Sequence, residues 1–139
     1  MIVIQMPGGD VEYVRPVSLL WMREAFDWEI AGTVMLRIGS TRLYASETMA
    51  ALTSKFSTAG ISLSLFTAPE GSIRPAVNVA KVNEVEAANP VFHHDNAHSV
   101  LKFSPQLGLA VRESVEEARE KLNTPDIPAG QGRDDLTSS

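Results

Sequence analysis

Short apolar runs of period two, punctuated by Gly, Pro and Asp, fill most of this chain, and twice such a series ends in a segment of helical period. Ile2-Val3-Ile4-Gln5-Met6 reads as a strand, Pro7-Gly8-Gly9-Asp10 as a turn and Val11-Glu12-Tyr13-Val14 as the returning strand. After Pro16, Leu19 and Met22 lead into a strand or bulged segment. Val34 to Ile38 and Arg42 to Ala45 then form a hairpin around Gly39-Ser40. Met49, Leu52 and Phe56 follow at i, i+3 and i+7, the spacing that stacks side chains on one helix face. Further along, Ile61 to Phe66, Val77 to Val85, Val100 to Phe103 and Leu107 to Val111 read as strands, and Val115, Ala118 and Leu122 restore the helical spacing. Ser114 with Glu117 predicts a capping box, whose reciprocal bonds satisfy end amides that the helix leaves unpaired. Thr48 is the matching cap of the first helix, but Ala51 cannot complete the box, so that helix is expected to fray more easily.

The two series match in order. Glu47 to Phe56 and Glu113 to Leu122 correspond at a constant offset of 66, with acid, hydroxyl and Lys in the same places. Leu36-Arg37-Ile38 pairs with Leu101-Lys102-Phe103 at an offset of 65, and Val14-Arg15-Pro16 with Ile73-Arg74-Pro75 at 59. These offsets predict a shorter first turn and a longer middle loop in the second copy. Matches that recur in the same order at a nearly constant spacing signal a repeated structural unit. The predicted fold is α+β, mostly antiparallel β: two tandem β-rich modules, 1–59 and 60–123, each closed by a C-terminal helix. A module of about 60 residues buries too little surface to be robust alone, so the two should pack together. The tail 124–139, rich in Pro, Gly and acids and without apolar periodicity, is expected to be disordered in the free protein.

Composition narrows the function classes. With 44% hydrophobic and 21% charged residues the 139-residue chain has a globular balance. A net charge of −5 disfavours non-specific binding to nucleic acid or anionic membranes. The absence of cysteine excludes disulfides, thiolate metal sites and Cys nucleophiles. No stretch has the roughly 20 apolar residues of a membrane span. The first residues lack the basic region and long apolar core of a secretory signal, which points to a cytoplasmic or virion-associated protein.

In outline, the order strand, turn, strand, Pro-x-x-aliphatic-x-x-aliphatic, hairpin and short helix resembles the small FlbD-type flagellar and swarming motility proteins of bacteria. The segments that carry the likeness are Pro16-Val17-Ser18-Leu19-Leu20-Trp21-Met22 and Val111-Arg112-Glu113-Ser114-Val115-Glu116-Glu117. The resemblance implies a regulatory or assembly factor without catalysis. Duplication departs from that family's single module, and so does Arg15, where such modules often carry Asn before the proline.

Ligand-type residues cluster once. All three histidines fall in His93-His94-Asp95-Asn96-Ala97-His98, and imidazole with carboxylate suits zinc, nickel or copper. His93, His94, Asp95 and His98 are therefore the candidate metal ligands. Asp95-Asn96 is turn chemistry, however, and the segment also reads as a polar hairpin tip or contact surface. Trp21, Phe26 and Trp28 are core or interface aromatics. The uncharged outer face of the first helix, Ala50, Ala51, Thr53 and Ser54, would allow close approach of the second module or another subunit. Glu84 with Glu86, and Glu116 with Glu117, read as solvent faces, and no catalytic residue or cofactor is predicted. The leading expectation is a non-enzymatic interaction, assembly or regulatory protein that binds a protein partner or itself. Alternatives are a phage virion structural or decoration protein, and a small metal-dependent enzyme using the histidine loop.

Overall fold

In a computed structural model, which describes residues 1–130, a hairpin, a 3-10 turn, a three-stranded meander and a helix occur in that order twice. The first set is β1 (Ile2–Gln5), β2 (Val11–Val14), a turn at Pro16–Ser18, β3 (Leu19–Glu24), β4 (Val34–Ile38), β5 (Thr41–Ala45) and α1 (Met49–Thr58). The second is β6 (Leu63–Leu65), β7 (Ala76–Asn78), a turn at Val79–Lys81, β8 (Glu84–Ala87), β9 (Ser99–Ser104), β10 (Leu107–Val111) and α2 (Val115–Asn123). The fold is α+β with antiparallel sheets throughout, two β-rich modules each closed by a helix.

Strand registers agree between the modules. Leu36 lies opposite Met22 and Leu43, and Leu101 lies opposite Val85 and Leu109. The offset is thus 63 at β3/β8, 65 at β4/β9 and 66 at β5/β10. A β-bulge at Leu107/Gly108 inserts the last extra residue. The predicted longer middle loop is present, two residues longer between β8 and β9 than between β3 and β4. The first turn is the reverse of the expectation. Met6 N–H bonds Asp10 O, closing over three residues, whereas Ala68 N–H bonds Ile73 O over four. Ile73-Arg74-Pro75 is therefore not the counterpart of Val14-Arg15-Pro16. The true counterpart of Arg15 is Asn78, since the two residues cap the equivalent 3-10 turns. Val77 to Val85 is likewise not one strand, because the Asn78 side chain accepts from Ala80 N and turns the chain.

Each module has its own core, and the positions correspond. Ile4, Val14, Leu19, Met22, Leu36, Ala45, Leu52 and Phe56 form the first. Their counterparts Phe66, Val77, Val82, Val85, Leu101, Val111, Ala118 and Leu122 lie in the second. Val34 is matched by the fully buried Ser99, whose hydroxyl donates to Glu113 O at 2.7 Å and so avoids an unsatisfied polar group. One carboxylate in each module ties the first strand to the helix start. Glu47 accepts from Gln5 N at 2.8 Å and Glu113 from Thr67 N at 3.0 Å. Both predicted caps form: Thr48 accepts from Ala51 N, and Ser114 with Glu117 makes the full box.

The modules are joined edge to edge. β7 of the second adds to β3 of the first, giving a five-stranded sheet of order β5-β4-β3-β7-β6, with β10-β9-β8 and β1-β2 as separate sheets. A bulge between Leu19 and Trp21 lets Leu20 and Trp21 both face the second core while Leu19 and Met22 face the first. The chain does not become disordered at Thr124 as expected. Ile127 forms an antiparallel bridge with Leu63, and Ser57 binds both Pro128 O and Gly130 N. The cause is backbone pairing, which composition does not reveal. Residues 131–139 of the predicted tail lie outside the described residues.

Candidate functional site

Between the modules lies a cleft of about 370 Å³, and the two segments singled out by residue type both reach it. They are the same loop of the two modules. Residues 25–33 join β3 to β4, and residues 88–98 join β8 to β9. Trp21, Arg23, Phe26, Met35 and Arg42 contribute from the first module. Pro69 and Glu70 of the β6–β7 connection, Phe92, His93 and His94 of the second loop, and Leu109 and Ala110 of β10 contribute from the other.

Glu29 organises the first loop. Its carboxylate accepts from Arg23 Nη1 at 2.6 Å and Nη2 at 3.2 Å, from Phe26 N at 2.8 Å and from the Tyr44 hydroxyl at 2.7 Å. The side chains of Arg23 and Glu29 are only 11% and 7% exposed, so these bonds act with little screening. Arg23 is the main cause that holds the Glu29 carboxyl at about 2, well below its ordinary 4.5, with the Phe26 amide and Tyr44 hydroxyl adding to it against burial. The same carboxylate pushes the Tyr44 hydroxyl up. Fully ionised and with its oxygens occupied, Glu29 is a framework group and not a base. The Arg23 guanidinium also lies 3.8 Å over the Phe26 ring, which stacks on Trp28 at 4.6 Å. Trp28 remains largely exposed.

The second loop is held by local bonds, as Asn-rich turn chemistry favours. Asn89 Oδ1 accepts from Val91 N at 2.9 Å, and Asn89 O accepts from the amides of Phe92 and His93. His93 Nδ1 accepts from Asn89 N at 2.9 Å and His94 Nδ1 from Asn96 N at 3.0 Å, while His98 Nδ1 pairs with Arg112 O at 2.6 Å. His93 is half-buried, and His94, Asp95 and His98 are exposed. His93 and His94 line the cleft. Among the described residues no three His, Asp or Glu side chains are gathered as a metal site would need.

Trp21 lies in β3 itself, 6% exposed and 5.2 Å from Phe103. Its indole Nε1 is the one buried side-chain polar atom among the described residues without a hydrogen-bond partner. Ala50 and Ala51 are exposed on α1, away from the cleft and not covered by the second module. The Arg23–Glu29–Tyr44 network is absent from the sequence-level candidates. The signal available for it was an acid set between Trp28 and Ile30 in a long, largely apolar connection. Its partners come from two strands, so spacing alone does not assemble them. The cleft has an apolar floor, with the exposed Arg42 and Glu70 among its lining residues. Among the described residues that line it, no nucleophile is paired with a base. Comparison of the chain with protein-family models, curated proteins and solved structures gives no match.

Proposed function

We propose that this protein is a non-enzymatic assembly or regulatory factor, built from two copies of one module, that binds a protein partner at the mouth of the inter-module cleft. The observation that carries the proposal is a concentration of exposed apolar side chains on the two counterpart loops. Trp28 is 76% exposed, Ile30 52%, Val91 81% and Phe92 80%. Of these Phe92 lines the cleft and Trp28 stacks on Phe26, which also lines it, and aromatic anchors flanked by polar groups are the anatomy of protein-binding hot spots. A regulatory or assembly role is also what the FlbD-type likeness implies.

The test is a double variant, Trp28→Ala with Phe92→Ala, compared with the parent chain as bait in cells that naturally express it. Quantitative recovery should show a small set of proteins lost with the variant while its melting temperature stays that of the parent. Identical recovery from both baits would overturn the proposal.

A further inference from the structure

The junction between the modules leaves an unused copy of each of its halves. β7 is flanked by β6 and β3, whereas its counterpart β2 has β1 on one side and, among the described residues, no strand on the other. β3 is flanked by β4 and β7, whereas among the described residues its counterpart β8 has β9 alone. In the junction Met22 faces Ala76 and Trp21 faces Val77. The offset of 63 carries these pairs to Val85 facing Tyr13 and Glu84 facing Val14.

The free edges are in the right backbone phase. Met6 bonds Asp10 across the β1–β2 hairpin, while Gln5 and Val3 turn their backbone groups outward to Glu47, Ser46 and Lys55. Bonded and non-bonded positions alternate in an antiparallel ladder, so Tyr13, opposite Val3, also presents its N–H and C=O to the open side. Ala88 bonds His98 across the β8–β9 ladder, which by the same alternation turns the backbone of Val85 outward. The side chains agree: Tyr13 is 64% exposed, but its counterpart Ala76, covered by β3, is 0% exposed. Asn78, which donates to Leu19 O across the junction, is replaced by Arg15, a second donor.

We propose that β2 of one chain pairs with β8 of a second copy of this chain, repeating the internal junction head to tail. The inference rests on the two-copy reading and is independent of the loop surface. A contact of this kind joins unlike surfaces, so it closes into a ring or extends as a filament. Glu12 and Glu86 fall opposite one another beside the two paired positions. Directly opposed like charges weaken a strand pair, so this junction is looser than the internal one.

Sedimentation velocity over a concentration series tests the contact. The parent chain should form species larger than a monomer. Tyr13→Pro and Val85→Pro each remove an outward N–H from an edge strand, where proline is tolerated, and each should be monomeric. Mixed in equal amounts they should form a dimer and nothing larger, since one retains a working β8 edge and the other a working β2 edge. Glu86→Arg, an exposed change that installs the residue type of its counterpart Arg23 opposite Glu12, should tighten association by about tenfold. That variant tests the contact even where a proline variant fails to fold. Unaltered assembly of either folded proline variant, a mixture that stays monomeric, or a Glu86→Arg chain no more associated than the parent would each overturn the proposal. Loss of a cellular partner in the loop variant with assembly intact would leave this contact standing, so the two proposals fail separately.

Discussion

Two loops occupy the same place in the two modules and are held by opposite means. The loop at 25–33 closes on a buried carboxylate that gathers a guanidinium, a phenol and an amide. The loop at 88–98 has no ion pair among the described residues, and side chains bonded to neighbouring backbone hold it. The first arrangement draws on β3 and β5, so it fixes the loop to the sheet. The second is mostly sequence-local, though Asn96 reaches Pro69 O at 3.2 Å. One framework therefore supports a wall tied to the sheet by its side chains on one side of the cleft and a wall held mainly by its own backbone on the other.

The largest effect should come from a core position that the two modules have in common. Leu52→Asp places a charge at a fully buried position without a partner. It should destabilise by more than about 3 kcal/mol in denaturant unfolding, since even a neutral unsatisfied polar group costs roughly 1–3 kcal/mol. Ala118→Asp, at the counterpart position, should behave alike, and Ser54→Asp on the exposed face should change stability by no more than about 0.5 kcal/mol. A loss from Ala118→Asp as small as that from Ser54→Asp would break the equivalence of the two cores.

Next in size is the difference between the loops. Glu29→Gln leaves Arg23 buried with a weakened partner and should cost about 3 kcal/mol at neutral pH. The carboxyl's folded value of about 2 lies below its ordinary 4.5. Its stabilisation is therefore complete above the ordinary value and is lost as pH falls through the folded one. Acid titration of stability should show the gap between parent and variant narrowing across that window. Asn89→Ala in the other loop should cost only about 1 kcal/mol, with no such acid dependence.

Smaller again are the helix caps. Thr48→Ala and Ser114→Ala should each cost about 1 kcal/mol in thermal or denaturant melts, with the greater loss at Ser114, where both halves of a box disappear. The smallest effect is expected from His94→Ala with His98→Ala. Both rings are exposed, so losing their bonds to Asn96 N and Arg112 O should cost no more than about 0.5 kcal/mol. Added zinc should leave the melting temperature of the parent chain where it is, because a ligand of the native state would raise it.

The elements legible in the sequence were those that a local rule determines. Leu52 and Phe56 fall on the buried face of α1 because helical spacing puts them there, and Ser114 caps α2 because a hydroxyl can reach the third amide. The hairpins at Gly39-Ser40 and Pro7-Gly8-Gly9 follow from turn chemistry. What failed was non-local. Arg74-Pro75 resembles Arg15-Pro16 in residue type, but cross-strand pairing puts them at different stages of the module. The cleft is half legible: residue type singles out Trp21, Phe26, His93 and His94, but the sheet that brings them together joins β3 to β7 across about 55 residues of chain.

The return of the segment after α2 to β6 and the end of α1 has a consequence for how the chain is made. Ile127 closes against Leu63, and Gly130 N–H bonds Ser57 O beside the end of α1. The last described residues thus complete contacts begun near the middle of the chain, and β3 waits for β7 to cover its edge. Neither half can finish folding as it leaves the ribosome, since each lacks a strand or a strap that arrives later. Closing such long loops must precede the contacts that reward it, which slows folding and leaves the β3 edge open to other chains in the interval.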